Sequence, residues 1–330
     1  MNIDDELHLP APISTVAAPG ADVIAVVVAY SPDANALGQL LDRLGSQVSR
    51  ILLVDNADTA QARQTISTLG QRDIGCPVEL LRIGHNSGIG QAQNRGISRA
   101  IALGARWVLL SDDDSLPAAD MVMCLVARMM ERHASPLAAA GAWVVDDRTV
   151  GDALVFRDGV LGPRRMKPGV LHGPATKVAF LVASGCLIDV KAWQSIGPMR
   201  EDLFIDHVDL EWCLRARRAG WSLAVVPAAR LSHRLGDRLV RPWYLGYRPV
   251  HLHVPTRNYY LMRNTLLLLG GPLMPTGWRL GYLVWIAKYV LFHVLCVPPR
   301  LLRTRLIAKG LADGIRGISG RLDAGSRRTP

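Results

Sequence analysis

Asp112, Asp113 and Asp114 stand together at the end of the apolar run Trp107-Val108-Leu109-Leu110, and Ser115 follows directly. Carboxylates crowded at the mouth of a buried strand repel one another, and the cost falls when a cation neutralises them. Hard divalent ions such as Mg²⁺ or Mn²⁺ prefer oxygen ligands and often share them with a phosphate-bearing substrate. The triplet therefore points to a metal-assisted site for a nucleotide-linked substrate. It also suits a turn with a helix cap, since Asp and Ser favour N-caps and Pro117 fits a first helical turn. Taken alone, the triplet leaves both readings open.

A second acidic pair lies in Asp206-His207-Val208-Asp209-Leu210-Glu211-Trp212-Cys213-Leu214-Arg215. With Asp206 as a helix cap, Asp209 falls one turn away on the same side. A carboxylate facing a cleft there would take a proton from an attacking hydroxyl. An acidic first turn equally complements the helix dipole. His233, just before Gly236-Asp237, follows the run Trp221–Val226 and is placed to return to the same rim as a metal ligand, whereas the isolated His133 reads as a surface or core residue. Gly88-Ile89-Gly90 invites a dinucleotide-binding reading, but Gln93 stands where a further Gly or Ala is required, and the stretch precedes the fourth strand.

These residues need elements to hold them. Val23–Tyr30 is a continuous β-branched run, as expected of a strand buried on both faces and hence parallel. Leu37, Leu40, Leu41 and Leu44 have helical spacing. Arg50–Val54 and Val78–Arg82 read as strands, Ala62–Leu69 and Ile89–Ala102 as helices. The alternation implies a parallel, doubly wound sheet with right-handed crossovers. Ligands of such sheets lie outside the carboxyl ends of the strands, where Tyr30, Asp55-Asn56 and Asp112–Asp114 all fall. A second block, about 138–227, carries the runs Ala140–Val145, Lys177–Ala183 and Cys186–Ile188, a helix over His207–Ala219 and the strand Trp221–Val226.

The 330 residues are 49% hydrophobic and 20% charged, which argues against wholesale disorder. The net charge of +10 is concentrated beyond Arg241, where many arginines and lysines face only Asp313 and Asp323, as suits a polyanionic partner or an anionic membrane surface. The 5 cysteines are scattered without CxxC spacing and read as buried thiols of a reducing compartment. The first twenty or so residues, Pro- and Ala-rich with Asp4, Asp5 and Glu6, form a loose leader without the basic start and apolar core of a signal peptide.

In order along the chain, Val27–Pro32, Val54-Asp55-Asn56, Asn86–Gly96, Asp112-x-Asp114-Ser115 and Asp206–Gly220 resemble glycosyltransferase family 2. The similarity is greatest to bacterial rhamnosyltransferases, through Phe204–Arg215, His233-x-Leu235-Gly236-Asp237 and Arg257-Asn258-Tyr259-Tyr260-x-x-Arg263-Asn264. The resemblance implies a GT-A fold, a Rossmann-like nucleotide-sugar-binding sheet joined to an acceptor-binding half. The glycosyltransferase domain would span 21–240, with the donor half about 21–135 and the acceptor half about 136–240; 241–330 would be a basic, apolar helical region. It also implies inverting, metal-dependent transfer from a nucleotide sugar, with dTDP-L-rhamnose the expected donor. Asp55 would recognise the base and Asp112 the ribose, with Tyr30, Asn86, Asn94 and Asp113 also in the donor site. Asp114 would hold Mg²⁺ or Mn²⁺ against the diphosphate, with His233 as second ligand. Many relatives carry Glu-Asp where this chain has Asp206-His207, so Asp206, Asp209 and His207 are the base candidates, Asp206 being favoured.

Leu280–Val297 is apolar, interrupted by Lys288 and His293 and punctuated by Tyr282, Trp285 and Tyr289. At about eighteen residues it is near the lower limit for a span. Flanking arginines and interfacial aromatics favour an amphipathic helix in the membrane surface. A lipid-linked glycan acceptor at the cytoplasmic face of the inner membrane, in O-antigen or similar polysaccharide synthesis, would account for a peripheral enzyme with such a tail. Another nucleotide sugar, UDP- or GDP-linked, or a catalytically silent membrane-binding module are the alternatives. Nucleic-acid binding is not expected, because the arginines accompany an apolar helix and no recognised module.

Overall fold

The run Val23–Ala29 is buried at every position, and its side chains alternate between two cores. In a computed structural model of the chain it is the central strand β1. The structure describes Gly20 and residues 22–132, 135–145, 154–166, 176–233, 238–240 and 250–322. The expected leader, His133 and Gly236-Asp237 lie outside the described residues. After β1 come α1 (Ala34–Gly45), β2 (Arg50–Asp55), α2 (Ala60–Leu69), β3 (Val78–Arg82), α3 (Ile89–Ala102) and β4 (Trp107–Asp112). The four leucines of α1 are fully buried, and Asp33 Oδ1 caps it by accepting from the Ala36 amide, 2.9 Å.

β5 (Ser115–Pro117), α4 (Met121–Met130) and β6 (Leu137–Val145) follow. Next are the small hairpin β7 (Phe156–Arg157) and β8 (Arg164–Arg165), then β9 (Thr176–Lys177), β10 (Cys186–Asp189), α5 (Val190–Ile196), α6 (Val208–Arg218) and β11 (Ser222–His233). The described residues form a nine-stranded sheet ordered β3-β2-β1-β4-β10-β6-β11-β5, with β9 also on β11. One core packs α1, α2 and α4 on one face; the other packs α3, α5 and α6 opposite.

Parallel pairing holds for β3-β2-β1-β4 and again between β6 and β11, so the sheet is mixed and not all-parallel as expected. β10 enters antiparallel between β4 and β6, and β5 pairs antiparallel with β11. Only Asp113 and Asp114 separate β5 from β4, yet β5 pairs with the far end of β11 and not with β4. The strand expected over Lys177–Ala183 shrinks to Thr176–Lys177. β11 pairs with β9 only at Ala224–Val225, and Phe180 leaves the ladder to stack on Phe156 at 4.7 Å. The strand expected over Trp221–Val226 runs on to His233, with an irregularity between Val226 and Arg230 around Pro227.

The C-terminal region comprises the hairpin β12 (Arg238–Val240) and β13 (Val250–Leu252), then α7 (Pro255–Gly270), α8 (Thr276–Cys296) and α9 (Arg300–Ile315). α7 buries Tyr259, Tyr260, Arg263, Asn264 and Thr265 against α9 and the loop before α6. Arg303 is buried too and donates to Asn258 Oδ1 and to the His253 and Pro298 carbonyls. Part of the positive charge read as a surface for polyanions is therefore consumed inside the fold. Of the cysteines, Cys186 and Cys213 are buried, Cys76 and Cys124 half-buried, and Cys296 exposed on α8, because the outward face of that helix is uncovered.

Candidate active site

Sheet register brings the acidic residues to one rim. Ala29, the last residue of β1, lies opposite Asp55, and Val28 lies opposite Asp112. The β5–β11 pairing sets His233 opposite Ser115, immediately after the Asp triplet. His233 Nδ1 is 3.1 Å from Asp114 Oδ1 and 3.0 Å from Ser115 Oγ, and its Nε2 is 4.0 Å from Asp112 Oδ2. Beneath them Ser184 Oγ accepts the Asp112 amide and shares a 2.6 Å hydrogen bond with Ser115 Oγ. Both serines are buried; Ser115 stands in the motif directly after the triplet, whereas nothing in the sequence around Ser184 marks it as part of the site. Withdrawal from water raises the Asp112 carboxyl, with His233 and Arg257 opposing and Asp114 adding to the rise.

These donors suit a hard divalent ion. Asp114 and His233 face each other at 3.1 Å, and a carboxylate beside an imidazole is a donor pair that Mg²⁺ or Mn²⁺ would accept. Among the described residues no three such side chains form a complete metal-holding group. Mg²⁺ or Mn²⁺ held here would complete its shell with diphosphate oxygens and water, a common arrangement for these ions.

Asp113 Oδ2 accepts the Tyr30 amide at 3.0 Å, stitching the end of β1 to the turn. Burial first, then Asp114 and Asp112, raise its carboxyl to about 7 against the pull of that amide. The Tyr30 ring is 48% exposed at the rim. Asp55 is buried and accepts the Ala57 amide, 3.1 Å. Asn56 Oδ1 accepts from the Ser87 amide and hydroxyl, and Asn86 Oδ1 accepts the Gly88 amide. Arg321 reaches this corner from the far end of the chain, donating to the Asn86 carbonyl and to Asp58. Asn94 is elsewhere. Its side chain accepts the Met199 amide and donates to the Met199 carbonyl and Glu201, stapling α3 to the segment that leads to α6.

The glycines of Gly88-Ile89-Gly90 serve that same contact. A Cβ on Gly88, at φ +87°, would meet the Phe204 carbonyl at 2.6 Å, and one on Gly90 would meet the Arg200 carbonyl at 3.0 Å. The Ile89 amide donates to the Phe204 oxygen, 2.7 Å.

The segment just before α6 is strained. Phe204, Asp206 and His207 all have positive φ, 64 to 67°, without being glycine. Each such residue costs about 1–3 kcal/mol unless its surroundings enforce it. Asp206, favoured as base in the sequence, is held by Arg257, whose Nε and Nη2 both donate to its carboxylate. Burial would raise this carboxyl, but Arg257, His253 and His207 hold it below the usual carboxylate range, leaving a weak proton acceptor. His207 Nε2 is 2.8 Å from Thr265 Oγ1, and burial depresses its ring to about 4. Asp209 is different. It accepts the Leu210 amide, 2.7 Å, and among the described residues no cation forms a salt bridge with it. Burial first, then Asp206 and Asp112, raise it to about 6, against the Leu210 amide. Glu211, on the same helix, is engaged by Arg215.

An acidic sheet edge, a carboxylate beside an imidazole and a second, raised carboxylate are groups that transfer from an activated phosphate ester could use. Comparison with known proteins agrees. The chain is 27% identical over 304 residues to dTDP-rhamnosyl transferase RfbF of Shigella flexneri, covering 91% of this chain and 97% of that one. In fold it is similar to TarS of S. aureus, with a TM-score of 0.54 and 13% identity, over 90% of this chain but only 49% of that one. It is also similar to the mannosyltransferase PcManGT from Pyrobaculum calidifontis, solved with GDP-Man and Mn²⁺, with a TM-score of 0.52 and 13% identity over 92% of this chain and 77% of that one. These neighbours share the GT-A-like mixed sheet. The glycosyl transferase family 2 model matches residues 24–194, just over half the chain and the stretch that carries Asp55, Asn86 and the Asp triplet, so this protein belongs to that family and is a glycosyltransferase.

Proposed function

We propose that the protein is an inverting, metal-dependent rhamnosyltransferase that moves L-rhamnose from dTDP-L-rhamnose onto a lipid-linked cell-surface glycan. The single observation that carries the inverting reading is Asp209, a half-buried carboxylate raised to about 6, with no salt bridge to a cation among the described residues and close enough to Asp112 of the donor rim to feel its charge. Single displacement needs a base at the acceptor hydroxyl, and a desolvated carboxylate is poised to accept that proton near neutral pH. Asp209 replaces Asp206 in this role, because Arg257 already neutralises Asp206. The attacking oxygen forms a bond to the anomeric carbon as the bond to the diphosphate breaks, and its proton passes to Asp209.

Asp55 and Asp112 flank the nucleoside, the exposed Tyr30 ring offers its face at the same rim, and Asp113 keeps β1 and the Asp turn together. Asp114 and His233, with Asp112 beside them, would hold Mg²⁺ or Mn²⁺, which when bound stabilises charge on the departing diphosphate. The rhamnosyl assignment leans on the relative from Shigella flexneri, whose printed donor class is taken over here.

The outward face of α8 supports a peripheral site at the cytoplasmic surface of the inner membrane. α8 is long and apolar enough to cross a membrane, and only 6% of its apolar window is buried. Its Tyr289 hydroxyl accepts from Asn258, and Trp278 Nε1 donates to the Gly159 carbonyl, so the helix is tied to the protein along one side. That favours lying on the bilayer rather than spanning it.

A panel of nucleotide sugars with Mg²⁺ or Mn²⁺ tests the donor. dTDP-L-rhamnose is expected to raise the melting temperature and to turn over, and Asp114→Asn to remove the metal's effect on both. Turnover of a UDP- or GDP-sugar in its place overturns the rhamnosyl assignment, and full activity of Asp114→Asn overturns the ligand role.

A further inference from the structure

We propose that Asn264 of α7, flanked by Arg263 and Thr265, is a positioning device for the loop before α6, holding Phe204, Asp206 and His207 at their positive φ so that Asp209 enters α6 aimed at the donor rim. The proposal rests on the reading of Asp209 as the base. Asn264 is fully buried, and its Nδ2 donates to three carbonyls of one short stretch: Leu203 at 2.9 Å, Ile205 at 2.7 Å and Asp206 at 2.9 Å. Its Oδ1 accepts from Arg263 Nε, 2.9 Å, which fixes the amide's orientation. Arg263, also fully buried, donates to the Asp202 and Leu203 carbonyls and, at its other end, to the Gly320 carbonyl. Thr265 Oγ1 meets His207 Nε2. Three successive residues of one helix thus grip the carbonyls and side chain of a loop that L-residues resist adopting.

The grip is specific to the strained conformation. Extended backbone at Asp206 and His207 would turn the carbonyls away from one another, and a single amide could not serve all three. From the opposite side Gly88 and the Ile89 amide close on Phe204, so the loop is clamped between the donor-side helix α3 and the C-terminal helix α7. None of these α7 side chains touches the donor rim. Their effect on transfer comes through Asp209, where small misplacement of a reacting group is expensive.

In the full-length enzyme, Asn264→Ala is expected to lower kcat by roughly tenfold or more while binding of dTDP, measured calorimetrically, stays within about twofold. His207→Gly relieves part of the backbone strain without any support, so adding it to Asn264→Ala should recover a substantial part of kcat. Thr265→Val, nearly isosteric, keeps the question open to test if Asn264→Ala fails to fold, and should lower kcat with dTDP binding intact. Unchanged kcat in the folded variants overturns the proposal, as does a parallel loss of kcat and dTDP affinity. Asp209→Asn separates the two readings: if it keeps full kcat the base assignment fails, whereas an inactive Asp209→Asn beside a fully active Asn264→Ala overturns the positioning role alone.

Discussion

Two aspartates three residues apart, Asp206 in the loop before α6 and Asp209 in its first turn, end in opposite electrostatic states because Arg257 reaches the first. Arg257 holds Asp206 low; burial lifts Asp209 to about 6. A carboxylate with that value is charged above pH 6 and protonated below it, so in the proposed role of base it should make kcat fall as pH drops through about 6. Asp209→Asn should cost 10²–10⁴ in kcat at neutral pH. The same shift has a stability consequence. Because the folded value lies above the unfolded one, Asp209 favours folding at low pH, and that contribution is lost as pH rises through about 6. Asp209→Asn should therefore raise the melting temperature at pH 8 and leave it nearly unchanged at pH 3, readable by thermal melts at the two pH values. A melting temperature at pH 8 below that of the unaltered protein would remove the case for an uncompensated charge at this position.

At the scale of elements, the junction of α3 with the loop before α6 depends on absent side chains. Gly88→Ala combines a positive φ with a Cβ set against Phe204 backbone and ring, and should destabilise the fold by about 2–3 kcal/mol, seen as a lower denaturation midpoint. Gly90→Ala, facing a contact at 3.0 Å, should cost less. Equal effects of the two would argue against the tight approach at Gly88. The Gly-x-Gly spacing was legible in the sequence, and its mismatch with a dinucleotide fingerprint was as well. What the glycines approach was not, because Phe204 lies more than a hundred residues away and is turned toward them by its own left-handed backbone.

Over the whole molecule, α8 divides the protein's inside from an outward apolar surface. Leu280, Leu283, Val284, Leu291 and Leu295 are 48–62% exposed, and Lys288 lies among them. Leu283→Asp with Leu291→Asp should abolish co-sedimentation with anionic vesicles while leaving dTDP binding intact; undiminished sedimentation would refute this face as the membrane contact. Hydrophobic periodicity made β1 to β4, α1 and α3 readable, since burial on fixed faces is written residue by residue. The Asp triplet and the Asp206/Asp209 pair were equally plain as residue types. Other features belong to pairing between distant segments: the antiparallel entry of β10, the return of His233 along β11, and the burial of α7 in the fold. So do the pairing of Arg257 with Asp206 and the hydrogen bonds of Asn264 to the loop before α6. Sequence alone determined which carboxylates and which core were available, because composition and period are local. Only the tertiary structure decided which carboxylate a guanidinium neutralises, because desolvation and charge depend on what the fold brings within a few ångströms.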